Sequence, residues 1–316
     1  MTRKPGVKGV EAHTPIGSAA PLILRAKAVP MFALAERAAD GTDADAVHDM
    51  RVASRRLREA LRLFAAVYPR REFKRWQRRV RDVTRALGPV RDSDVFAEEF
   101  ARFGQELGEG GRRCVAFAVG RRLGRRETEL DDLRHGLAQL KLSRRADEFA
   151  DFTGEVREVG DDTELPLAAF AHEAVSERAA VVVQMQPAAL VDANRAQQHA
   201  LRIDYKRLRY AVEVFSPCYG DTFEGLHGTL TAFQDALGTL HDMEVFAQHL
   251  ESPEFATQAT LAGVEPADTE EVTALLARRA ESAFAEFARL AAEYPAEELR
   301  DALLLPLSDG VEAPGR

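Results

Sequence analysis

The chain has 316 residues, 46% of them hydrophobic and 30% charged, a composition that fits one large globular domain or two ordinary ones and excludes wholesale disorder or collagen-like repetition. A formal charge of −8 argues against polyanion partners on average, but the charge is uneven. From His48 to Arg91 fourteen Arg and Lys face four Asp and Glu, a local +10 that leaves −18 for the rest, while residues 251–316 hold fourteen acids and five bases.

Apolar residues recur at helical spacing almost throughout, and alternating β-branched runs joined by Asn-Gly or Asp-Gly turns are missing, so the expected fold is all-α. Residues 1–15 read as a loose terminus. The first helix is expected near 18–39, with Pro30 inside it as a kink. Its apolar stretch at Leu22–Leu24 is cut by Arg25 and Lys27, so no signal-peptide core is expected, and no run of eighteen apolar residues suggests a membrane span. Helices near 45–68, 71–88, 93–107 and 112–149 follow, with Pro69 and Pro89 at boundaries. Residues 153–165, with Gly154, Gly160 and two aspartates, read as a linker. Beyond it, helices are expected at 166–186, 193–216, 221–238, 242–251 and 269–300, with Pro187, Pro217 and Pro253 between them and 303–316 loose. Cys114 and Cys218 are far apart and in no metal or redox spacing, which fits a reducing cytoplasm and gives no reason to expect a structural metal or a cofactor.

The linker separates two halves that repeat. HDMRVASRRLREALRLF (48–64) aligns without gaps to HALRIDYKRLRYAVEVF (199–215), with seven identities at an offset of 151. LGPVRDSDVFA (87–97) aligns to LGTLHDMEVFA (237–247) at an offset of 150. Two matching blocks in the same order indicate a duplicated helical unit, 16–152 and 166–300, together one domain. Related halves tend to pack about a pseudo-twofold axis, with equivalent helices around a shared surface.

On the first repeated helix Met50, Ala53, Leu57, Ala60, Leu61 and Phe64 gather on one side as core. His48, Arg51, Arg55, Arg58 and Arg62 fall on the other, within reach of one another at steps of three or four. The second copy repeats the stripe as His199, Arg202, Lys206 and Arg209, and Glu213 ends it where Arg62 continues it. Arg56 and Arg207 also correspond, on the flank. Like charges at this spacing destabilise an isolated helix, so their recurrence in both copies points to an anionic ligand. A second row, Lys74, Arg78, Arg81 and Arg85, has Glu224, Gly228, Thr231 and Asp235 as counterparts and is therefore one-sided. It either widens the anion surface or pairs with the acidic half. Arg112, Arg113, Arg121, Arg122, Arg125 and Arg126 add further charge. A row of cations suits a linear polymer of regularly spaced negative charges, because each contact is charge-assisted and releases a counterion.

The histidine-led helix HDMRVASRRLR, repeated as HALRIDYKRLRY and followed by LGPVRDSDV and LGTLHDMEV, resembles the CHAD family over roughly 16–300. The resemblance implies two helical bundles around a basic central cavity, and binding of inorganic polyphosphate, in some members on polyphosphate granules. Carried over by position, the cavity residues would be His48, Arg51, Arg55, Arg56 and Arg58 from one half and His199, Arg202, Lys206, Arg207 and Arg209 from the other. Asp204 departs from the pattern, standing where Ala53 does on the core side, and needs a cation or an outward orientation.

Two rivals remain. RNA or single-stranded DNA would also use a basic groove, although exposed aromatics for base stacking are nearly missing, with only Tyr205 and Tyr210 flanking the second stripe. An HD-type metal phosphohydrolase would use the adjacent pairs His48-Asp49 and His241-Asp242, but its metal would be set among arginines, and the repeat replaces Asp49 by Ala200. Asp92 and Asp242 are instead expected to open helices after the LGxxxD turns. The expectation is a binding module without catalytic residues.

Overall fold

A computed structural model of the protein describes residues 6–156 and 163–308, and among these the backbone is helical, as the periodicity predicts. The first half contains α1 (Ile16–Ala33), α2 (Ala35–Asp40), α3 (Ala44–Leu63), α4 (Arg70–Phe103), α5 (Glu109–Leu140) and α6 (Ala146–Gly154). The second contains α7 (Leu167–Ala189), α8 (Arg195–Val214), α9 (Phe223–Leu250), α10 (Pro253–Leu261), α11 (Pro266–Glu293) and α12 (Ala296–Ser308).

Several boundaries differ from expectation. Pro89 lies inside α4, which runs unbroken where two helices were expected. The proline costs about 3 kcal/mol in a helix interior, but α4 buries Phe73, Trp76, Val80, Val83, Leu87 and Val90 before or just after it and Phe96, Phe100 and Phe103 beyond. Each such side chain contributes about 1.5–3 kcal/mol, so burial outweighs the break. Asp92 and Asp242 therefore sit in mid-helix and cap nothing, since α9 is also continuous through Gly238. Pro187 likewise falls inside α7, whose last turn buries Gln186 and Ala189. The expected helix 112–149 divides where Lys141 takes a left-handed backbone (φ 48°) and Arg145 Nε donates to the Leu140 carbonyl at 2.8 Å. The expected helix 269–300 ends at Glu293, and α12 follows.

Neither terminus is as loose as its composition suggests. Leu303 and Leu307 are fully buried in α12, so order extends to Ser308. Val10 is buried and the Ala12 carbonyl accepts from the Ala168 amide at 2.9 Å. Residues 1–5, the middle of the expected linker (157–162) and 309–316 lie outside the described residues.

The duplication governs the packing. The neighbours α1·α3, α3·α4, α4·α5 and α1·α6 in the first half match α7·α8, α8·α9, α9·α11 and α7·α12 in the second. Between the halves, the packed pairs α1·α7, α3·α8 and α5·α11 each join an element to its own counterpart, as a twofold axis requires. At one end of that axis Pro15 and Pro166 face each other in an antiparallel bridge. The Ile16 amide donates to the Leu165 carbonyl and the Leu167 amide to the Thr14 carbonyl, both at 2.9 Å, each bond being the other displaced by 151 positions.

Neither half has a core of its own. One apolar core joins α1, α2, α3, α6, α7, α8 and α12 with the N-terminal part of α4, the first half of α9 and the C-terminal parts of α5 and α11. A second joins the C-terminal parts of α4 and α9 to α10 and the N-terminal parts of α5 and α11. Helix α1 is long and apolar enough to cross a membrane by composition, but its Ala19, Ala20, Ile23 and Leu24 are buried in the first core.

Candidate functional site

Asp43 opens α3 by accepting the Ala46 amide at 2.9 Å, and from there the helix turns Met50, Leu57, Ala60 and Leu61 fully into the core. That fixes His48, Arg51, Arg55 and Arg58 on the other side, all half-buried. Leu201, Leu208, Ala211 and Val212 orient α8 in the same way and leave Arg202 and Lys206 half-buried. Because α3 packs on α8, both stripes meet at the axis.

A cavity of about 610 Å³ lies there. Helix α3 lends it His48, Arg51 and Arg55, α4 Arg91 and Asp92, α5 Arg122, α8 Arg202, and α9 His241, Asp242 and His249. Phe96 and Phe246, in edge contact at 5.3 Å, form its apolar floor. The Nε atoms of Arg51, Arg122 and Arg202 are buried there without a hydrogen-bond acceptor, a costly state that an anion would relieve. Arg51 Nη1 is held by Asp92 Oδ1 at 2.6 Å and the Gly88 carbonyl at 3.0 Å. Arg55, Arg58, Arg202 and Lys206 have no carboxylate within ion-pair distance among the described residues.

The crowding of positive charge registers in the titrations. Burial, then the fields of Arg55, Arg202, Arg51 and Arg58, lower the Lys206 ammonium to about 8. Burial and Arg51 lower Arg55, and burial with Arg62, Arg55 and Arg81 lowers Arg58, though a guanidinium stays charged at any physiological pH. His241 is lowered to about 4 by burial, Arg202, His199 and Lys206. Its Nδ1 lies 3.2 Å from Nδ1 of His199, so one ring donates to the other. His48 is lowered by burial and Arg91. Asp242 is raised, chiefly by burial.

A second basic compartment, a groove of about 420 Å³, lies beside Arg58 and is lined by Arg58, Arg62, Lys74, Gln77, Arg78 and Arg81. The row on α4 therefore faces the stripe of α3 and not the acidic half. Arg85 is exposed and lines neither compartment.

Besides Arg85, three expected site residues lie elsewhere. Arg56 faces a different cavity and forms an ion pair with Glu213 at 2.6 Å. Arg207 pairs with Asp204 at 2.9 Å, which supplies the cation that Asp204 needs. Arg209 is buried against Gln234 (2.8 Å), His227 (3.3 Å) and the Tyr210 ring. Conversely, Arg91 and His241 belong to the cavity although neither was expected there. They are equivalent positions of the second repeated block, and that equivalence was the available signal. Arg122 carries no such mark.

Of the adjacent His-Asp pairs, both members of His241-Asp242 line the central cavity, but the first pair is split, His48 lining that cavity and Asp49 the one beside Arg56, and among the described residues no group of three or more His, Cys, Asp or Glu is placed to hold a metal. Tyr205 is buried and stacked on Phe233, and Tyr210 is buried too, so neither offers a free face to a base.

The sequence matches the family description CHAD domain over residues 23–251. The fold is similar to the CHAD domain from the plant Ricinus communis, with TM-score 0.62 and 23% identity, covering 98% of this chain and 96% of that one. It is also similar to PptA from Streptomyces chartreusis, with TM-score 0.61 and 19% identity, covering 88% of this chain and 99% of that one. No curated protein matches the chain.

Proposed function

The chain belongs to the CHAD domain family, and from that premise we propose that it binds linear inorganic polyphosphate in the cavity between α3 and α8, without consuming it. The observation that carries this reading is the convergence of Arg51, Arg55, Arg58, Arg202 and Lys206, a group of like charges with a single short carboxylate contact, Arg51 to Asp92. Such an arrangement opposes folding unless a ligand neutralises it, and a polymer with a charge on every unit meets all five cations at once. The orphaned Arg51, Arg122 and Arg202 Nε donors support an oxyanion ligand in particular. A cytoplasmic location, on polyphosphate granules, is part of the proposal, and two buried free thiols accord with a reducing compartment.

The test is incubation with long-chain polyphosphate and Mg²⁺, with binding, chain length and phosphate release followed together. Retention of a polymer of unchanged length, resisting competition by RNA at equal ionic strength, is the expected result. Phosphate release lost on changing His48 or Asp49 would replace the binder with a hydrolase, and displacement by RNA would make nucleic acid the ligand.

A further inference from the structure

The cavity that Arg56 faces has a volume of about 730 Å³ and opens where α1, α3 and the C-terminal end of α8 meet the start of α9. Leu34, Val52, Ala53, Val214, Pro217 and Phe223 give it a largely apolar wall. Four carboxylates line it, Asp49, Glu213, Asp221 and Glu224, against two cations, Lys27 and Arg56. Both cations pair with Glu213, at 3.9 and 2.6 Å. Glu213 is only 6% exposed, and its Oε2 is buried without a hydrogen-bond donor. Asp49, Asp221 and Glu224 are exposed, and their side chains have neither a hydrogen bond nor an ion pair among the described residues.

The repeat confines this surplus of acid to one side of the axis. In the other copy Asp49, Glu213 and Glu224 become Ala200, Arg62 and Lys74. Ala53 becomes Asp204, and the equivalent surface is lined by charged pairs, Asp204 with Arg207 at 2.9 Å and Glu59 with Arg178 at 3.4 Å. An apolar hollow bordered by unpaired carboxylates therefore belongs to one half alone.

Such a hollow suits a cation with an apolar body. A divalent metal ion would need several carboxylates to converge on it, and among the described residues no three acidic groups do so. Ammonium groups spaced along an aliphatic chain meet both features: each finds a carboxylate of its own, and the methylenes between them cover the apolar wall.

We propose that this cavity binds a linear aliphatic polyamine, its methylenes against Leu34, Pro217 and Phe223 and its ammonium groups at Asp49, Asp221 and Glu224. The site stands apart from polyphosphate binding, and its test uses protein free of polyphosphate, which would itself draw polyamines.

Calorimetry with spermidine on the full chain at low ionic strength is the measurement, and one saturable site that an equal concentration of Mg²⁺ does not empty is the expected result. Asp221→Asn/Glu224→Gln changes exposed side chains and should weaken binding about fivefold or more, as the loss of two ion pairs warrants. Ala26→Trp, at an exposed position of α1 that lines the cavity, fills the hollow without changing charge and should weaken binding at least as much. Glu297→Gln/Glu298→Gln removes the same charge from the exposed start of α12 and should leave binding as it was. Circular dichroism checks that each variant is folded. Absence of a saturable site, an equal loss in the α12 variant, or normal binding by Ala26→Trp each overturns the proposal, and displacement by equimolar Mg²⁺ would make the carboxylates a metal site instead.

Discussion

Arg55 and Lys206 are equivalent positions of the repeat, carried on the packed helices α3 and α8, and the charge of Arg55 is the largest that bears on Lys206. The duplication thus brings a cation from each copy to one place on the axis. In a protein with only itself to stabilise, that encounter is unfavourable.

The first prediction follows from this cost. Arg55→Gln/Lys206→Gln is expected to raise the thermal midpoint of the ligand-free protein while weakening polyphosphate binding, because relief of repulsion and loss of the ligand's partners are one event. Saturating polyphosphate should reverse the order of stability. A variant that melts lower than the unmodified protein without ligand would show that the cluster is structural.

Protonation supplies the second prediction. Lys206, lowered to about 8 by burial and by Arg55, Arg202, Arg51 and Arg58, is only partly charged near that pH, and a bound polyanion favours its charged form. Binding at pH 8 is then expected to take up protons, and affinity to fall as pH rises through about 8. Calorimetry in buffers of differing ionisation heat measures the uptake. Lys206→Arg should abolish it, since a guanidinium stays charged; heat independent of the buffer would contradict the assignment.

The same reasoning gives a stability profile with the opposite drive. His241 is lowered from 6.5 to about 4, by burial first and by Arg202, His199 and Lys206 after it, so between those values the unfolded chain binds more protons than the folded one. Stability is expected to rise with pH through this window and to be lost as pH falls from about 6.5 towards 4. His48 and His249, both lowered mainly by burial, act in the same sense. His241→Gln should flatten the midpoint-against-pH curve; an unchanged slope would assign the acid lability to other groups.

Much of this arrangement was legible in the sequence because it is local or repeated. The 3.6-residue period places Leu57 and Leu208 in the core and the cationic stripe opposite, and the offset of 151 marks which residues share an axis. The sequence is silent where long-range packing decides. Pro89 marks a boundary only until the phenylalanines beyond it find the second core with Phe246. Arg56, Arg207 and Arg209 carry the right charge on the right helix, but Glu213, Asp204 and Gln234 claim them, and those pairings depend on partners three to 157 residues away. Arg122 enters the cavity from α5, outside either repeated block.

Ionic strength counts the contacts. Long-chain affinity is expected to fall log-linearly with salt, with a slope of roughly −0.7 to −0.9 per phosphate neutralised, by analogy with nucleic acids. Lys74→Gln/Arg78→Gln should make the slope shallower by about one to two. A flat response for the unmodified protein would mean that its cations are not the points of contact.

The last prediction sets the repeat against the structure. By alignment Glu213 is the position of Arg62, so Glu213→Arg restores in sequence the stripe that the second copy lacks. The structure gives the two positions different work. Arg62 is exposed, whereas Glu213 is buried and anchors Arg56 at 2.6 Å, Arg209 at 3.7 Å and Lys27 at 3.9 Å. Lys27 reaches it from the other half, and the pairing has a counterpart: Arg178, 151 positions after Lys27, reaches back to the buried Glu59 of the first half at 3.4 Å. Each half therefore holds the other through a buried carboxylate. Removing such a carboxylate leaves cations uncompensated in a poorly solvated place and costs about 3–5 kcal/mol. Glu213→Arg adds a fourth cation and should unfold the protein or lower its midpoint by many degrees, with no gain in polyphosphate affinity. Arg62→Glu, at the exposed equivalent, should change stability by less than about 1 kcal/mol. Chemical denaturation of both variants decides the matter: a Glu213→Arg protein with an unchanged midpoint would mean that the repeat, and not the packing between halves, determines what position 213 tolerates.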